Sequence, residues 1–572
     1  MYTNYNMNQL TLDITTSYVP KKDNTAWFIN ELVESLELSE PYLFGRPRKY
    51  DLKVVLKLTL FAYTRSVFTS RKIEQLAEES LPARWLTQEQ VPSYRTIARF
   101  RTSNDIDKLL QRSLDSLVTY LREQQLIDDA IFIDGTKLLA DANKYSFVWK
   151  KSTIKFDQMN RQQIISLSAE LKEAYETSSI PEGSHLTLDM VDEILTQLEL
   201  RLDDLEEKVI KTATLSPNPF KVKRRTLKSK KRKLKIRRDK MNEHQNKLAI
   251  CGNRNSYSKT DHDATFMKVK EDPMQNGQLK PAYNLQIATS NQYILGYDIF
   301  QNPTDTKTLQ PFLEKLKIEN RVPKYIVADA GYGSESNYRY LEDNFSEHIA
   351  VIPYGTMLKE KSKKWKTDER KVMNWNYNDK EDYYVDPKGV RFNFIGYRKR
   401  TDKDGFTRDF KEYQAERYDE NKDVIPESLT LKGHTRKVMV NPSWEYHKAK
   451  QNDQLSNEII AKVYSQRKID VEPVFGWMKA CLGFNRFHIR GINNVKKESG
   501  ILVLALNIIK LAVNQKNKPI DNKKESESKN LFKIFEFRFF YLRTVTTYVT
   551  ASFLSKYTGF WLRHIFTNKV FI

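Results

Sequence analysis

Cysteine is nearly missing from this chain: 572 residues carry two, Cys251 and Cys481. Two thiols so far apart make neither a zinc spacing nor a disulfide framework, so structural zinc is not expected and a reducing, cytosolic setting is. Long apolar runs are missing too, and no stretch of about 20 apolar residues reads as a membrane span. The opening MYTNYNMNQLTLDITT lacks the basic and apolar regions of an export signal, so none is expected there. Acidic residues are in deficit, 73 Asp and Glu against 95 Lys and Arg, giving a net charge of +22 and a pI near 9.4. That imbalance points to a polyanionic partner, nucleic acid before acidic membrane, and says nothing about catalysis. The length exceeds what one core organises, so several modules are expected.

Two apolar runs end in a carboxylate. Ala130 to Asp134 reads AIFID and is followed by Gly135 and Thr136; Tyr325 to Asp329 reads YIVAD and is followed by AGYGS. Each has the form of a buried strand that delivers an Asp at its C-terminal end, where α/β sheets place their ligands. A third carboxylate, Glu472, lies in YSQRKIDVEPVFGWMK, with Tyr464 and Arg467 before it and Lys479 after it. Glu472 and Lys479 are seven apart and share a face in one continuous helix. Pro473 disfavours helical geometry in the residue before it, which sets Glu472 at a helix start or kink. A Glu near a Lys, taken alone, reads as a solvated ion pair. Two strand-end Asp and one helix-borne Glu together are the hard oxygen donors of a two-metal phosphoryl-transfer site, whose ions sit roughly 3.5–4 Å apart.

The set FIDGTK, YIVADAGYG and YSQRKIDVEPVFGWMK resembles the DDE transposases of bacterial insertion sequences, in particular the group numbered eleven-eighty-two. That group falls within the wider set that carries a Tyr-Arg-Glu-Lys signature around the last acid. The resemblance runs over residues 40–512. It implies an RNase H-like fold in which Asp134, Asp329 and Glu472 hold catalytic Mg²⁺, with Mn²⁺ able to substitute. Tyr464, Arg467 and Lys479 map onto the remaining signature positions. Four residues separate Arg467 from Glu472 where the wider signature has three, which loosens the assignment of Arg467. The implied activity is cleavage at terminal inverted repeats followed by strand transfer into target DNA. The implied partners are those double-stranded DNAs and further copies of the chain, as a homodimer or higher multimer, in the bacterial cytoplasm at the nucleoid and with no membrane. Two alternatives stand beside it: a catalytically inactive nucleic-acid-binding remnant, and an RNase H-like nuclease unconnected with transposition.

The expected fold class is therefore α/β: an RNase H-like core with a mixed sheet, interrupted by a helical coiled-coil insertion and a β-rich insertion, behind an all-α N-terminal DNA-binding domain. The expected boundaries are a leader at 1–40, the helical domain at 41–127, core segments at 128–150, 251–355 and 451–512, the helical insertion at 151–250 and the β-rich insertion at 356–450. A linker at 513–530 and an aromatic tail at 531–572, for which the residues suggest no function, close the chain. Gly45-Arg46-Pro47-Arg48 reads as a minor-groove arm or as an ordinary loop. Ser93 caps SYRTIARFR, which shows Arg95, Arg99 and Arg101, a helix either facing DNA or merely solvated.

Within 151–250, Leu188, Val191, Leu195, Leu198, Leu202, Leu205 and Val209 form an a/d seam with acidic flanks. After a Pro-rich break, residues 221–240 hold thirteen Lys or Arg and one acid, Asp239, while Leu227, Leu234, Met241 and Leu248 recur every seven residues. An acidic seam followed by a basic one reads as an antiparallel hairpin. Its surplus charge, on Arg224, Arg225, Lys230, Lys231, Arg232, Lys233, Arg237 and Arg238, faces DNA backbone or solvent. Asp141 is a rival to Asp134 that lies beyond the apolar strand. Asp261 and Asp263 flank His262 in a stretch read as a polar loop at the site's rim, with Lys259 or Asp261 positioning substrate. AYNLQIATS and QYILGYDIF alternate and read as a hairpin. Trp375, Trp444 and the many Tyr of the β-rich insertion are either core or a stacking surface for an unpaired base.

Overall fold

The computed structural model describes residues 18–36, 49–178, 180, 185–214, 216–270, 277–418 and 421–516. The basic turn at 45–48, most of the expected linker and the whole aromatic tail lie outside the described residues.

Six helices come first: α1 (Thr25–Glu34), α2 (Leu52–Thr64), α3 (Ser70–Glu79), α4 (Leu81–Thr87), α5 (Tyr94–Thr102) and α6 (Asp105–Glu123). Short polar side chains fix several starts. Asn24 accepts from the Ala26 N–H, Asp51 from that of Lys53 and Ser93 from that of Thr96. Helix α1 corrects the expected leader: Ala26, Ile29 and Val33 recur at helical spacing and are fully buried, so residues 25–34 belong to the helical domain. From Val55 to Tyr63 every residue of α2 is buried. One side of α2 packs on α1, and another on the C-terminal core helix Ile492–Lys516. The N-terminal helices and the sheet thus share one continuous hydrophobic core.

Strand β1 (Ala130–Leu139) sits at the centre of a six-stranded sheet. After the helical insertion come β4 (Thr265–Lys268), β5 (Leu279–Ser290) and β6 (Tyr293–Phe300), then α10 (Leu309–Ile318), β7 (Tyr325–Ala328), α11 (Glu335–Asn344) and β8 (Ile349–Val351). On one edge β5 runs antiparallel to β1, with Phe132 opposite Thr289 and Leu139 opposite Ala282. On the other edge β7 runs parallel, with Ile133 opposite Ala328, and β8 lies parallel beyond it. Strands β4 and β6 pair antiparallel with successive segments of β5. Antiparallel strands on one side of β1 and parallel ones on the other are the mixed RNase H-like arrangement. Residues 130–133 are all buried, as expected where helices cover both faces of parallel strands.

The helical insertion grows from a small stem, β2 (Phe147–Trp149) paired with β3 (Ser256–Ser258). It contains three helices rather than a hairpin: α7 (Lys150–Tyr175), α8 (Leu188–Lys211) and α9 (Pro219–Cys251). Helix α9 packs along both others. Leu227, Leu234 and Met241 meet Val191, Ile194 and Leu198 from α8 and Ile164 and Leu171 from α7, in a core separate from the main one. The second insertion opens with the short helices α12 (Met357–Glu360) and α13 (Lys363–Lys366). An antiparallel meander follows: β9 (Asn376–Asn378), β10 (Tyr383–Val385), β11 (Arg391–Thr401), β12 (Thr407–Ala415) and β13 (Lys437–Val440). Trp375 is buried there against Phe392 and donates its Nε1–H to the Glu369 carbonyl, so its ring is core. Trp444 opens α14 (Pro442–Ser456) and stacks on Tyr338 at 5.8 Å, again inside the fold.

Helix α15 (Glu458–Gly476) then leads through a π turn, Trp477–Cys481, to α16 (Ile492–Lys516). By length and composition α16 alone among the described helices could cross a membrane, but 72% of its apolar window is buried inside the protein. It packs on β6, α2 and α6, and is the central helix of the core.

Candidate active site

The parallel register of β1 and β7 sets the site. Ile133 stands opposite Ala328, so the next residue on each strand, Asp134 and Asp329, emerges beside the other at the sheet's C-terminal edge. Each carboxylate accepts a hydrogen bond from a following glycine: Asp134 Oδ1 from Gly135 N–H at 2.7 Å and Asp329 Oδ1 from Gly331 N–H at 2.8 Å. Burial, and then the negative charge of Asp329, push the Asp134 carboxyl up to about 6, against the opposing pull of the Gly135 N–H and of Arg467. Gly135 is obligatory at this point. A Cβ there would lie 2.1 Å from Gln286 Nε2 and 2.8 Å from Asp305 Oδ1.

Helix α15 lies across these strand ends. Arg467 Nη1 is 3.4 Å from Asp134 Oδ2, a long ion pair. Arg467 also donates to the Tyr464 hydroxyl, whose pKa is raised mainly by burial and slightly by the nearby Asp329. The structure thus brings together four of the six expected catalytic positions: Asp134, Asp329, Tyr464 and Arg467.

Glu472 does not join them. It is exposed, while Val471 beside it is fully buried. Successive residues of an α-helix turn by about 100°. Tyr464, Arg467 and Val471 therefore share a face, and the four-residue spacing after Arg467 carries Glu472 off it. Among the described residues, no three His, Cys, Asp or Glu groups converge closely enough to hold a metal. The expected helix start at Glu472 is also corrected, because α15 runs unbroken from Glu458 to Gly476 with Pro473 inside it. Proline lacks the N–H that would bond the Ile469 carbonyl, and Gln292 Nε2 donates to that carbonyl instead, at 3.0 Å. Lys479 falls in the π turn, half-buried, so the seven-residue register with Glu472 is not kept.

A buried polar network behind the aspartates escaped the sequence reading. Asn284 Nδ2 and Gln286 Nε2, both fully buried on β5, donate to Asp305 Oδ1 at 2.8 and 3.0 Å, and the hydroxyl of the equally buried Tyr332 donates to Gln286 Oε1. Burial raises the Tyr332 phenol pKa well above its ordinary range, and the charges of Asp305, Asp134 and Asp329 add to it. The available signal was the pair of amides placed two apart in an otherwise apolar strand, a spacing that puts both on one face.

Other candidates have structural work. Asp261 is buried and accepts from Tyr283 Oη at 2.8 Å, and Asp263 Oδ2 accepts from the Ile492 N–H at the start of α16. They tie a loop to α16 rather than line a rim. Asp141 pairs with Arg490 at 2.9 Å. Arg95 and Arg99 are exposed on α5, but Arg101 is buried, which removes it from the DNA-facing set. It lies on the inner face with Ile97 and bonds the Phe68 carbonyl, the Tyr63 hydroxyl and Glu498. On α9, Arg224, Lys230, Lys231 and Arg238 pair with Glu206, Glu170, Glu199 and Asp192 on the neighbouring helices. Arg225, Arg232 and Lys233 are exposed, and Arg237 is half-buried.

A family model described as a transposase DDE domain matches residues 254–508, from the insertion stem through most of α16. A second, described as a transposase domain (DUF772), matches residues 14–103, through α5. Asp329 and Glu472 fall inside the first match, whereas Asp134 precedes it. No curated protein and no solved structure matches the chain.

Proposed function

We propose, from the premise that the chain belongs to the DDE transposases, that Asp134 and Asp329 form the heart of its cleavage and strand-transfer site. Transposases act on DNA, and the DDE class implies a divalent cation. The observation that carries the assignment is the pair of aspartates at neighbouring parallel strand ends, with Tyr464 and Arg467 laid across them. Two crowded carboxylates fit Mg²⁺, which takes one or two protein carboxylates and fills its other positions with water and substrate phosphate. Mn²⁺ suits the same hard oxygen donors. When bound, the cation lowers the pKa of a coordinated water and neutralises charge on the phosphate.

The protein's own groups do the rest. The Asp329 loop and β1 fix the two carboxylates through the glycine N–H groups and the Asp305 network. Arg467, held by Tyr464 and only loosely by Asp134, exchanges that partner for a phosphate oxygen of the incoming strand. Glu472 is the third carboxylate of this proposal and Lys479 a further phosphate contact, both reached from α15 and its π turn. Water attacks the phosphodiester at the element's end, leaving a 5′-phosphate and a free 3′-hydroxyl; that hydroxyl attacks a target phosphodiester in line, joining to the target's 5′-phosphate and releasing the target's own 3′-hydroxyl, with no covalent protein intermediate. Arg95 and Arg99, with Arg225, Arg232 and Lys233, supply backbone contacts to double-stranded terminal repeats and target, in a multimer that pairs two ends in the cytoplasm.

One observation favours the competing reading of an inactive DNA-binding remnant, namely the position of Glu472 outside the Asp pair. The test is Mg²⁺-dependent cleavage of a labelled duplex carrying the gene's own flanking inverted repeats, with Asp329→Ala alongside. Cutting at the repeat ends by the natural chain only supports the proposal. Binding without cutting supports the remnant, and equal cutting by both chains removes Asp329 from the site.

A further inference from the structure

A cavity of about 430 Å³ opens on the seam between the N-terminal helices and the catalytic core. One wall is the start of α3, at Thr69 and Ser70, and the other is the loop from Arg486 to Ile489. Thr69 has the extended backbone of an N-cap residue but makes no side-chain cap, so the first-turn amides of this ten-residue helix lack that partner. Arg101 lines the same cavity. Its two terminal nitrogens are engaged, but its Nε is buried and has no hydrogen-bond partner among the described residues.

The local charges balance toward an anion. Glu498 is consumed by Arg101, by the Tyr63 hydroxyl and by the His488 backbone N–H. Asp141, the acid in the cavity wall, is consumed by Arg490. Arg486 is exposed and makes no ion pair among the described residues, so its positive charge is left over. An uncapped helix start, an unsatisfied guanidinium N–H and an unpaired arginine around one opening are the elements of a phosphate site.

We propose that this seam holds one phosphate of the DNA backbone and so locks the N-terminal domain and the catalytic core onto the same duplex. The proposal rests on the transposase reading given above. Arg486 is bridged to Leu139, five residues along β1 from Asp134. At about 3.4 Å per residue that is roughly 17 Å, on the order of five base steps of rise from the scissile phosphate.

The experiment measures duplex binding by the full chain between about 50 and 200 mM salt, where each neutralised phosphate adds about 0.9 to the slope of log affinity against log salt. Arg486→Gln is expected to reduce the slope by about 0.9. Thr69→Asp supplies the missing cap and fills the site with a carboxylate, so it is expected to hold or raise the Tm while losing the same share of the slope. Thr69→Asn caps the same amides without charge, so it is expected to weaken duplex binding while keeping the wild-type salt slope, because Arg486 still neutralises the phosphate. Wild-type slopes in both Arg486→Gln and Thr69→Asp overturn the proposal, as does equal loss of slope in Thr69→Asp and Thr69→Asn. Saturable binding of inorganic phosphate that Arg486→Gln abolishes, with the DNA slope unchanged, assigns the seam to a free anion and also overturns it. A wild-type chain that binds no duplex sinks the transposase reading itself. Asp134→Asn, which spares this seam, separates the two by losing cleavage while keeping the slope.

Discussion

Replacing Gly135 with Ala should unfold more of this protein than the size of a methyl group suggests. The new Cβ would sit 2.1 Å from Gln286 Nε2 and 2.8 Å from Asp305 Oδ1, both far inside van der Waals contact. Neither neighbour is the loose end of a surface side chain. Gln286 is fully buried and bonded at both ends of its amide, to Asp305 and to Tyr332. Overpacking of this kind costs about 1–3 kcal/mol. Driving the amide away also breaks a hydrogen bond to a charged group, about 1.5–3 kcal/mol more. A loss of about 3–5 kcal/mol is expected, read as a lower urea midpoint at unchanged m. The reasoning is sharpened by Gln286→Ala, which removes the amide that clashes. The double variant should be more stable than the sum of the single losses predicts, by on the order of 1–2 kcal/mol. A Gly135→Ala loss below about 1 kcal/mol, or strict additivity in the cycle, would refute the claim that the network is rigid where it meets the aspartate strand.

Three further outcomes follow from the same geometry. The Asp134 carboxyl is raised from 3.8 to about 6, so its contribution to stability is fully present below pH 3.8 and is lost as pH rises through 6. In chelating buffer Asp134→Asn should therefore stabilise the chain by roughly 2–3 kcal/mol at pH 7 and by little at pH 3.5, and apparent Mg²⁺ affinity of the natural chain should fall below pH 6; a pH-independent difference in urea midpoints would contradict this. Gln292→Ala should cost up to about 1 kcal/mol by removing its side-chain bonds to the exposed Ile469 carbonyl and from Lys510, and less in a Pro473→Ala background, where the restored N–H takes the carbonyl, a difference that a denaturation cycle resolves. Arg101→Ala should cost about 3–5 kcal/mol by leaving Glu498 buried without its guanidinium, with only the Tyr63 hydroxyl and His488 as partners, whereas Arg99→Ala should stay within about 0.5 kcal/mol and lower DNA affinity instead.

The strands were legible because parallel strands covered on both faces must be continuous apolar runs, and AIFID and YIVAD carry their boundary in the final carboxylate. One local rule fails where a tertiary contact decides. Pro473 should end a helix, but a glutamine from the β5–β6 turn replaces the lost N–H, a partner 181 positions away in sequence that no local pattern reveals. Residue type groups Arg101 with Arg95 and Arg99, but spacing separates it: four residues after the buried Ile97, it belongs to the inner face. The acid that receives it, Glu498, sits in α16 beside the apolar run that closes the core. Helix α7 shows no apolar seam in the sequence, because its buried positions include Thr153, Asp157, Asn160 and Ser168 alongside Ile164 and Leu171. Asp305 carried no motif at all, and only the fold brings it to Gly135.

The same β5–β6 turn governs where Glu472 can stand. Gln292 gives its backbone N–H to Asp470 at 3.2 Å and its side-chain amide to the Ile469 carbonyl, and its Oε1 accepts from Lys510 on α16. Those bonds fix the rotation of α15 just ahead of Glu472, with Val471 turned into the core. Bringing Glu472 to the aspartates takes a turn of about 100°, which exposes a buried valine at about 1.5–3 kcal/mol and breaks the two Gln292 bonds at about 1 kcal/mol each. The turn therefore holds Glu472 aside, and loosening it with Gln292→Ala is a direct way to ask whether Glu472 belongs with the pair.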